Sequence, residues 1–201
     1  MVIAHHLIWT VYGWWLPNDP RGSSSHDIRV EPIRDLGELH YGKKSPPPSW
    51  QAVRQFHQQA EPILRHEVLL LTECDQAQVA ASLAEAFRVH DYTCYACAVM
   101  PEHLHLVVRR HRDSAEQMLE NLQQTTRDAL RAASLRHEMH PVWGGPGWKV
   151  FLDSPERIQN TVRYVEENPQ KSGLPPQAWP FVTKYDNWLP APAMRRSGNK
   201  G

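Results

Sequence analysis

The stretch "AVMPEHLHLVV" at residues 98–108 constrains this chain more than any other. It is apolar enough to be a buried strand, yet it carries His103 and His105 one residue apart. Side chains along a strand alternate between faces, so both imidazoles point one way while Leu104, Leu106 and Val108 point the other. One face is therefore core and the other polar. A buried imidazole without a partner costs about 1–3 kcal/mol, so something must satisfy the pair. A metal ion is one candidate, and a wet sheet face with two half-buried histidines is the other.

The 201 residues fit one domain, and a hydrophobic content of 41% is enough for a core. No apolar run approaches the roughly 20 residues of a membrane helix. The opening "MVIAHHLIWT" has neither the basic start nor the cleavage site of a signal peptide. The expected location is the cytoplasm, with no membrane partner. Lys plus Arg equals Asp plus Glu at 22 each, so any basic field for nucleic acid must be local. The local runs are "RRHR", which supplies Arg109, Arg110 and Arg112 directly after the histidine strand, and "RRSGNK" near the end. Taken alone, each reads equally as a solvated loop or a frayed tail. Cys94 and Cys97 form a CxxC inside a strand-like segment, where a spacing of three is expected to put them on opposite faces. With Cys74 the only other cysteine, there is neither a four-ligand zinc set nor a disulfide framework.

Along the chain, strands and helices alternate. "AHHLIWTVY" is strand-like, and a Pro-, Gly- and Ser-rich excursion then fills residues 13–49 as a long ordered loop. Trp50, Val53, Phe56, Ala60 and Ile63 follow helical spacing, and "EVLLLT" reads as a short apolar strand. A helix is expected from Asp75, with Gln78 closing a capping pattern and Val79, Leu83 and Phe87 on its stripe. "YTCYACAVM" turns at "PE" into "HLHLVVRR". The next helix opens at "SAEQ" and is expected to run to about Arg136 through Met118, Leu122, Ala129 and Ala133. After "WGGPGW" comes the strand "KVFLD". The last helix has Ser154 as N-cap and Pro155 at its first position, and is expected to stop at Asn168, because Pro169 disfavours helical backbone before it. The sum is one α+β domain over residues 1–190, an antiparallel sheet with helices packed mainly on one face, followed by a flexible tail at 191–201.

In the last helix Ile158, Val162 and Val165 lie within about 60° of one another and define the core stripe. Tyr164 is off that stripe. With Arg157, Thr161 and Asn168 it forms a second one, on which Tyr164 and Asn168 are i,i+4 neighbours. Alone, such a tyrosine is ordinarily a packing residue.

Together these pieces resemble a known family. "MPEHLHLVV" resembles the HUH motif, two histidines flanking an apolar residue, of the single-tyrosine transposases: the insertion-sequence-200-like enzymes and the REP-associated tyrosine transposases. "YVEENPQKSGL" resembles that family's nucleophile helix, in which a polar metal ligand follows the tyrosine by four residues. "HHLIWTVYGWWLPNDPRGS" resembles the opening of a bacterial subgroup, and the likeness spans most of residues 1–190. Two departures stand out: Glu102 replaces the more usual Asn or Asp, and the 13–49 loop exceeds that of the shortest members.

The resemblance implies a ferredoxin-like antiparallel sheet with the histidines on a central strand and a C-terminal helix bearing the nucleophile. It implies a single-strand DNA endonuclease and strand transferase that forms a 5′-phosphotyrosine at sites flanked by hairpins. Tyr164 is then the nucleophile, and His103, His105 and Asn168 hold Mg²⁺ or Mn²⁺. A nucleophilic tyrosine needs help, since free tyrosine has a pKa near 10 and only about one in a thousand is phenoxide at pH 7. Two imidazoles and an amide oxygen suit a divalent ion that polarises phosphate. Arg109, Arg110, Arg112 and Lys171 are the candidate phosphate contacts, and Trp14, Trp15 or Trp50 could stack on bases. Three questions stay open at this level. The chain could be a domesticated single-stranded DNA-binding protein, a metal phosphoesterase using water as nucleophile, or a homodimer that exchanges tyrosine helices.

Overall fold

The computed structural model describes residues 1–23, 25–28, 31–42, 44–133 and 139–190. The expected end of the fourth helix near Arg136, the "RRSGNK" run and the tail at 191–201 lie outside the described residues. The protein is α+β. Its strands are β1 (Ala4–Thr10), β2 (Cys94–Val99), β3 (His103–Arg109) and β4 (Trp148–Leu152). They form one antiparallel sheet in the order β2-β3-β1-β4, so the histidine strand is central. The helices are the short α1 (Glu31–Arg34), then α2 (Trp50–Ala60), α3 (Glu73–His90), α4 (Ala115–Ala133) and α5 (Pro155–Lys171). Among the described residues no helix is long and apolar enough to cross a membrane.

Alternation divides the sheet into two faces. Leu7, Trp9, Leu104, Leu106 and Val108 enter the larger core with Val79, Leu83 and Phe87 of α3 and Met118, Leu122 and Leu130 of α4. Each such side chain is worth about 1.5–3 kcal/mol when fully buried, so this face anchors the sheet. The opposite face carries Ala4, Ala96, Ala98 and Val107 against Ile158 and Val165 of α5. Helices thus cover both faces, with α5 alone on the side to which His103 and His105 point. On α4 the stripe continues through Leu130, while Ala133 is exposed, which corrects the expected Ala129–Ala133 continuation.

Four further expectations are corrected. "EVLLLT" forms no strand: Leu69 and Leu71 are buried and Leu70 exposed, as in a strand. Its backbone, however, joins no ladder: Leu69 N–H donates to Tyr12 O at 3.1 Å and Leu71 N–H to Pro101 O at 2.7 Å, while Leu71 O accepts from the Gln76 side chain at 3.1 Å. The following helix starts at Glu73, because Thr72 and Asp75 form a reciprocal capping box. Cys94 and Cys97 share one core, because a bulge between Cys94 and Ala96 shifts the register and leaves Tyr95 facing α5. Finally, α5 runs through Pro169 to Lys171. Its last turn is closed by Leu174 N–H to Pro169 O at 2.9 Å and Gly173 N–H to Gln170 O at 3.0 Å. Gly173 takes the left-handed φ of +76° that this motif requires. Leu174 packs onto the α5 layer and offsets the conformational cost of the proline.

The chain after α5 straps the open edge of β2. Gln177 accepts from Val99 N–H and donates to Val99 O, both at 2.8 Å, and Thr183 N–H donates to Cys94 O at 2.8 Å. Tyr185 and Trp188 then pack into the α5 layer. This covers an edge that would otherwise offer unpaired backbone groups. Gln177→Ala is expected to leave the buried Val99 N–H unsatisfied and to lower unfolding free energy by about 1–3 kcal/mol, measured by urea titration. An unchanged midpoint would show that the strap is dispensable.

Candidate active site

The register of β1 on β3 pairs Ile8 with His105 and Thr10 with His103, which puts His6 on the same face. His6 Nε2 and His105 Nδ1 lie 3.0 Å apart, both buried. The His103 and His105 rings are 4.7 Å apart and nearly perpendicular. Glu102, the departure noted in the sequence, brings a carboxylate oxygen 3.2 Å from His103 Nδ1. That contact holds the Glu102 carboxyl below its usual range against the opposing effect of burial, with a smaller contribution from Arg21.

Above this face lies α5. Tyr164 is off the core stripe and 45% exposed, so its phenol is open to solvent. Its ring centroid stands 5.5 Å from that of His105 and 6.2 Å from that of His6, edge-on to both. Lys171 Nζ is 5.7 Å from the Tyr164 ring and 2.8 Å from Glu167. The structure therefore brings together Tyr164, His103, His105 and Lys171. Asn168, one turn beyond Tyr164, is buried on the flank between the tyrosine and the core, and makes no side-chain hydrogen bond among the described residues. No three His, Cys, Asp or Glu side chains among the described residues group as a metal site.

The two basic elements are separated. Arg109 ends β3, six residues from His103, a span of roughly 20 Å along a strand. Its guanidinium lies 4.8 Å over the Trp188 ring. Arg110 and Arg112 follow at the surface. The 13–49 loop, by contrast, reaches the site. Arg21 contributes to the field at Glu102, and the loop is organised around the fully buried Asp19. Burial pushes the Asp19 carboxyl up, but bonds from Arg21 (2.7–2.9 Å) and His57 (3.2 Å) outweigh it and hold it low. Arg21 also stacks 4.1 Å from the Trp15 ring, which is 37% exposed. Trp14 stacks on His57 at 5.6 Å, and Trp50 is 82% exposed.

His6 is the residue that sequence reasoning missed. Its signal was present in "AHHLIWT", where His6, Ile8 and Thr10 share one face, but only the β1–β3 pairing shows that this face is the one His105 occupies. Its neighbour His5 faces the other way, against Phe151 at 5.5 Å.

Burial holds both site imidazoles neutral. His6 is pushed down to about 4, and His105 to about 2, where the nearby His103 and His6 add to the effect of burial. Neutral imidazole is the form that binds metal or accepts a proton. His105 has Nδ1 engaged by His6, and His103 has Nδ1 engaged by Glu102. In both, the other nitrogen is left for a ligand, and metal-binding histidines are commonly held in this way. His103 and His105 thus each keep one ring nitrogen available to a ligand, and Asn168, one turn beyond Tyr164, is the third residue that the resemblance names.

No family model matches the chain, and no curated protein matches it. Two solved structures are similar. One is a REP-associated tyrosine transposase bound to a REP hairpin, with a TM-score of 0.45 and 14% identity, covering 89% of this chain and 74% of that one. The other is a protein provisionally named a transposase, from Deinococcus radiodurans R1, with a TM-score of 0.41 and 11% identity, covering 84% and 91%.

The buried histidines set a pH dependence of stability. Unfolded histidine takes up a proton near pH 6.5, whereas folded His6 does so only near 4 and His105 lower still. Between these values the unfolded state holds more protons, so stability is lost as pH falls from about 6.5 towards 4. The urea midpoint is expected to be lower at pH 5 than at pH 7.5, and His105→Gln is expected to flatten that dependence by about one proton. An unflattened dependence in the variant would mean that His105 titrates normally in the folded protein.

Proposed function

We propose that this protein is a metal-dependent single-strand DNA endonuclease and strand transferase in which Tyr164 is the nucleophile. The observation that carries the reading is the approach of the exposed Tyr164 ring to within 5.5 Å of His105, from a helix 59 residues away in sequence. The motif resemblances in "MPEHLHLVV" and "YVEENPQKSGL" support it. So does the four-stranded antiparallel sheet with the histidines on a central strand, which agrees with the fold that the resemblance implies.

In the proposed reaction the Tyr164 phenolic oxygen attacks phosphorus, the bond from phosphorus to the 3′ oxygen breaks, and the leaving oxygen takes up a proton as a free 3′-hydroxyl. The 5′ side stays on Tyr164 as a phosphotyrosine. A second 3′-hydroxyl then attacks that phosphotyrosine, restores a phosphodiester and releases the phenol, so strands are exchanged without ATP. His103, His105 and Asn168 would hold Mg²⁺ or Mn²⁺, which when bound polarises the phosphate and offsets the charge that builds during attack. Glu102 and His6 orient the two imidazoles. Lys171, beside the Tyr164 ring, is the side chain best placed to meet the scissile phosphate.

The substrate in this reading is single-stranded at the cut, because a phenol on a helix surface cannot reach in-line geometry within a stacked duplex. In this reading a hairpin beside the cut meets the basic run that begins at Arg109, where Arg110 and Arg112 would neutralise its phosphates. Trp15, backed by Arg21, offers an unpaired base a stacking face on the loop side of the site.

Tyr164→Phe is expected to abolish both cleavage of a single-stranded hairpin substrate and the covalent protein–DNA adduct, while leaving DNA affinity within about twofold. His105→Ala, or EDTA with the native chain, is expected to stop cleavage, and added Mn²⁺ to restore it only in the EDTA-treated native protein. Undiminished adduct in Tyr164→Phe would overturn the nucleophile assignment. Full cleavage in EDTA would remove the metal from the mechanism.

A further inference from the structure

We infer that His6 is a positioning residue: it accepts the Nδ1 proton of His105, and so fixes the tautomer that presents the His105 Nε2 lone pair towards Tyr164. This deepens the reading above and rests on it for the role of His105, although the tautomer itself is a property of the protein alone.

Two neutral imidazoles joined by one hydrogen bond have two arrangements. Either His105 Nδ1–H donates to His6 Nε2, or His6 Nε2–H donates to His105 Nδ1. In the second arrangement the only remaining proton on His105 must sit on Nε2, which can then neither bind a cation nor accept a proton from a phenol. In the first, that nitrogen is free for either task. The strand's other histidine has no such choice. Its Nδ1 faces the Glu102 carboxylate at 3.2 Å. A carboxylate held in its ionised form accepts and does not donate, so His103 Nδ1 carries a proton, and a neutral ring then has its lone pair on Nε2. His103 and His105 are thus gripped through the same ring atom by acceptors from different places, one from the turn before β3 and one from β1. With His6 as acceptor, both imidazoles present the same nitrogen.

The surroundings hold the two rings together. His6 is 7% and His105 5% exposed, so solvent competes little for the shared proton. The two rings are 5.1 Å apart and tilted by 31°, with Tyr164 edge-on to both, so any rotation of His105 would move its ring relative to the phenol. β1 lies beside β3 at the sheet centre and pairs with it from Ala4 to Thr10, which fixes His6 more rigidly than a loop residue could be fixed. An acceptor built into the neighbouring strand therefore orients His105 before any substrate arrives.

The test uses the full chain and three variants: His6→Gln, whose amide oxygen can accept in place of Nε2, His6→Leu, which cannot, and Tyr164→Phe as control. In metal-free native protein at pH 7.5, nitrogen-15 correlation spectra are expected to show His105 with a protonated, pyrrole-like Nδ1 and a pyridine-like Nε2. His6→Gln is expected to keep that pattern, and His6→Leu to mix the two tautomers. Mn²⁺ affinity, followed by electron paramagnetic resonance, is expected to fall about 10- to 100-fold in His6→Leu and to stay within about threefold in His6→Gln. Tyr164→Phe is expected to leave both tautomer and affinity unchanged. A protonated His105 Nε2 in the native protein would overturn the inference, as would a native-like tautomer and affinity in His6→Leu. Because neither readout uses cleavage, a failure of the nuclease reading, seen as a persistent adduct in Tyr164→Phe, is recorded separately.

Discussion

Everything in the site depends on the antiparallel register between β1 and β3. The pairs His6 with Val107, Ile8 with His105 and Thr10 with His103 place three imidazoles on one side of the sheet and Leu7, Trp9, Leu104 and Leu106 on the other. A slip of one residue would exchange the faces. A slip of β3 would drive His103 and His105 into the core formed with α3 and α4, and would turn Leu104 and Leu106 towards Tyr164. The apolar face thus enforces the polar one: the hydrophobic burial that stabilises the sheet also fixes which way the histidines point.

The second layer follows from that division. α5 is the one long helix on the histidine face, held by Ile158, Val165 and Leu174 and backed by the strap that carries Tyr185 and Trp188. This leaves the Tyr164 side of the helix free and brings its ring over His105. Burial then acts on the chemistry, because the dry sheet face that seats α5 also keeps His6 and His105 uncharged. Glu102 and the Asp19–Arg21 loop core frame the other end of the histidine pair, which gives the long 13–49 excursion a structural purpose. It is ordered by a buried carboxylate, and its Arg21 acts by charge on Glu102, the residue before β3.

Much of this was legible in the sequence wherever a period of two or 3.6 operates without interruption. The alternation of "HLHLVV" gave the face of each side chain, and the spacing of Ile158, Val162 and Val165 showed that Tyr164 is not a core residue. What escaped reading was set by contacts that periodicity does not carry. "EVLLLT" alternates like a strand but pairs with no strand among the described residues, and so remains a half-buried crossing segment. The bulge at Cys94 to Ala96 reverses the facing of Cys97, and no local signal marks it. The helix passes Pro169 because Gly173 and Leu174 close its end, a tertiary effect that outweighs the local preference of the residue before proline. His6 needed the pairing of strands almost a hundred residues apart, which one sequence does not supply.

The central claim, that Tyr164 makes the first covalent bond, is tested most directly by trapping. A single-stranded hairpin oligonucleotide with a bridging 3′-phosphorothiolate at the cut leaves a thiolate that re-attacks poorly, so the covalent intermediate accumulates. Proteolysis and tandem mass spectrometry of the adduct, formed in ¹⁸O-water, then locate the nucleotide. The account predicts a 5′-phosphonucleotide on the Tyr164 phenolic oxygen, with no solvent oxygen on its phosphate. Cleaved DNA bearing one ¹⁸O on a free 5′-phosphate, beside an unmodified Tyr164, would contradict it and make water the nucleophile.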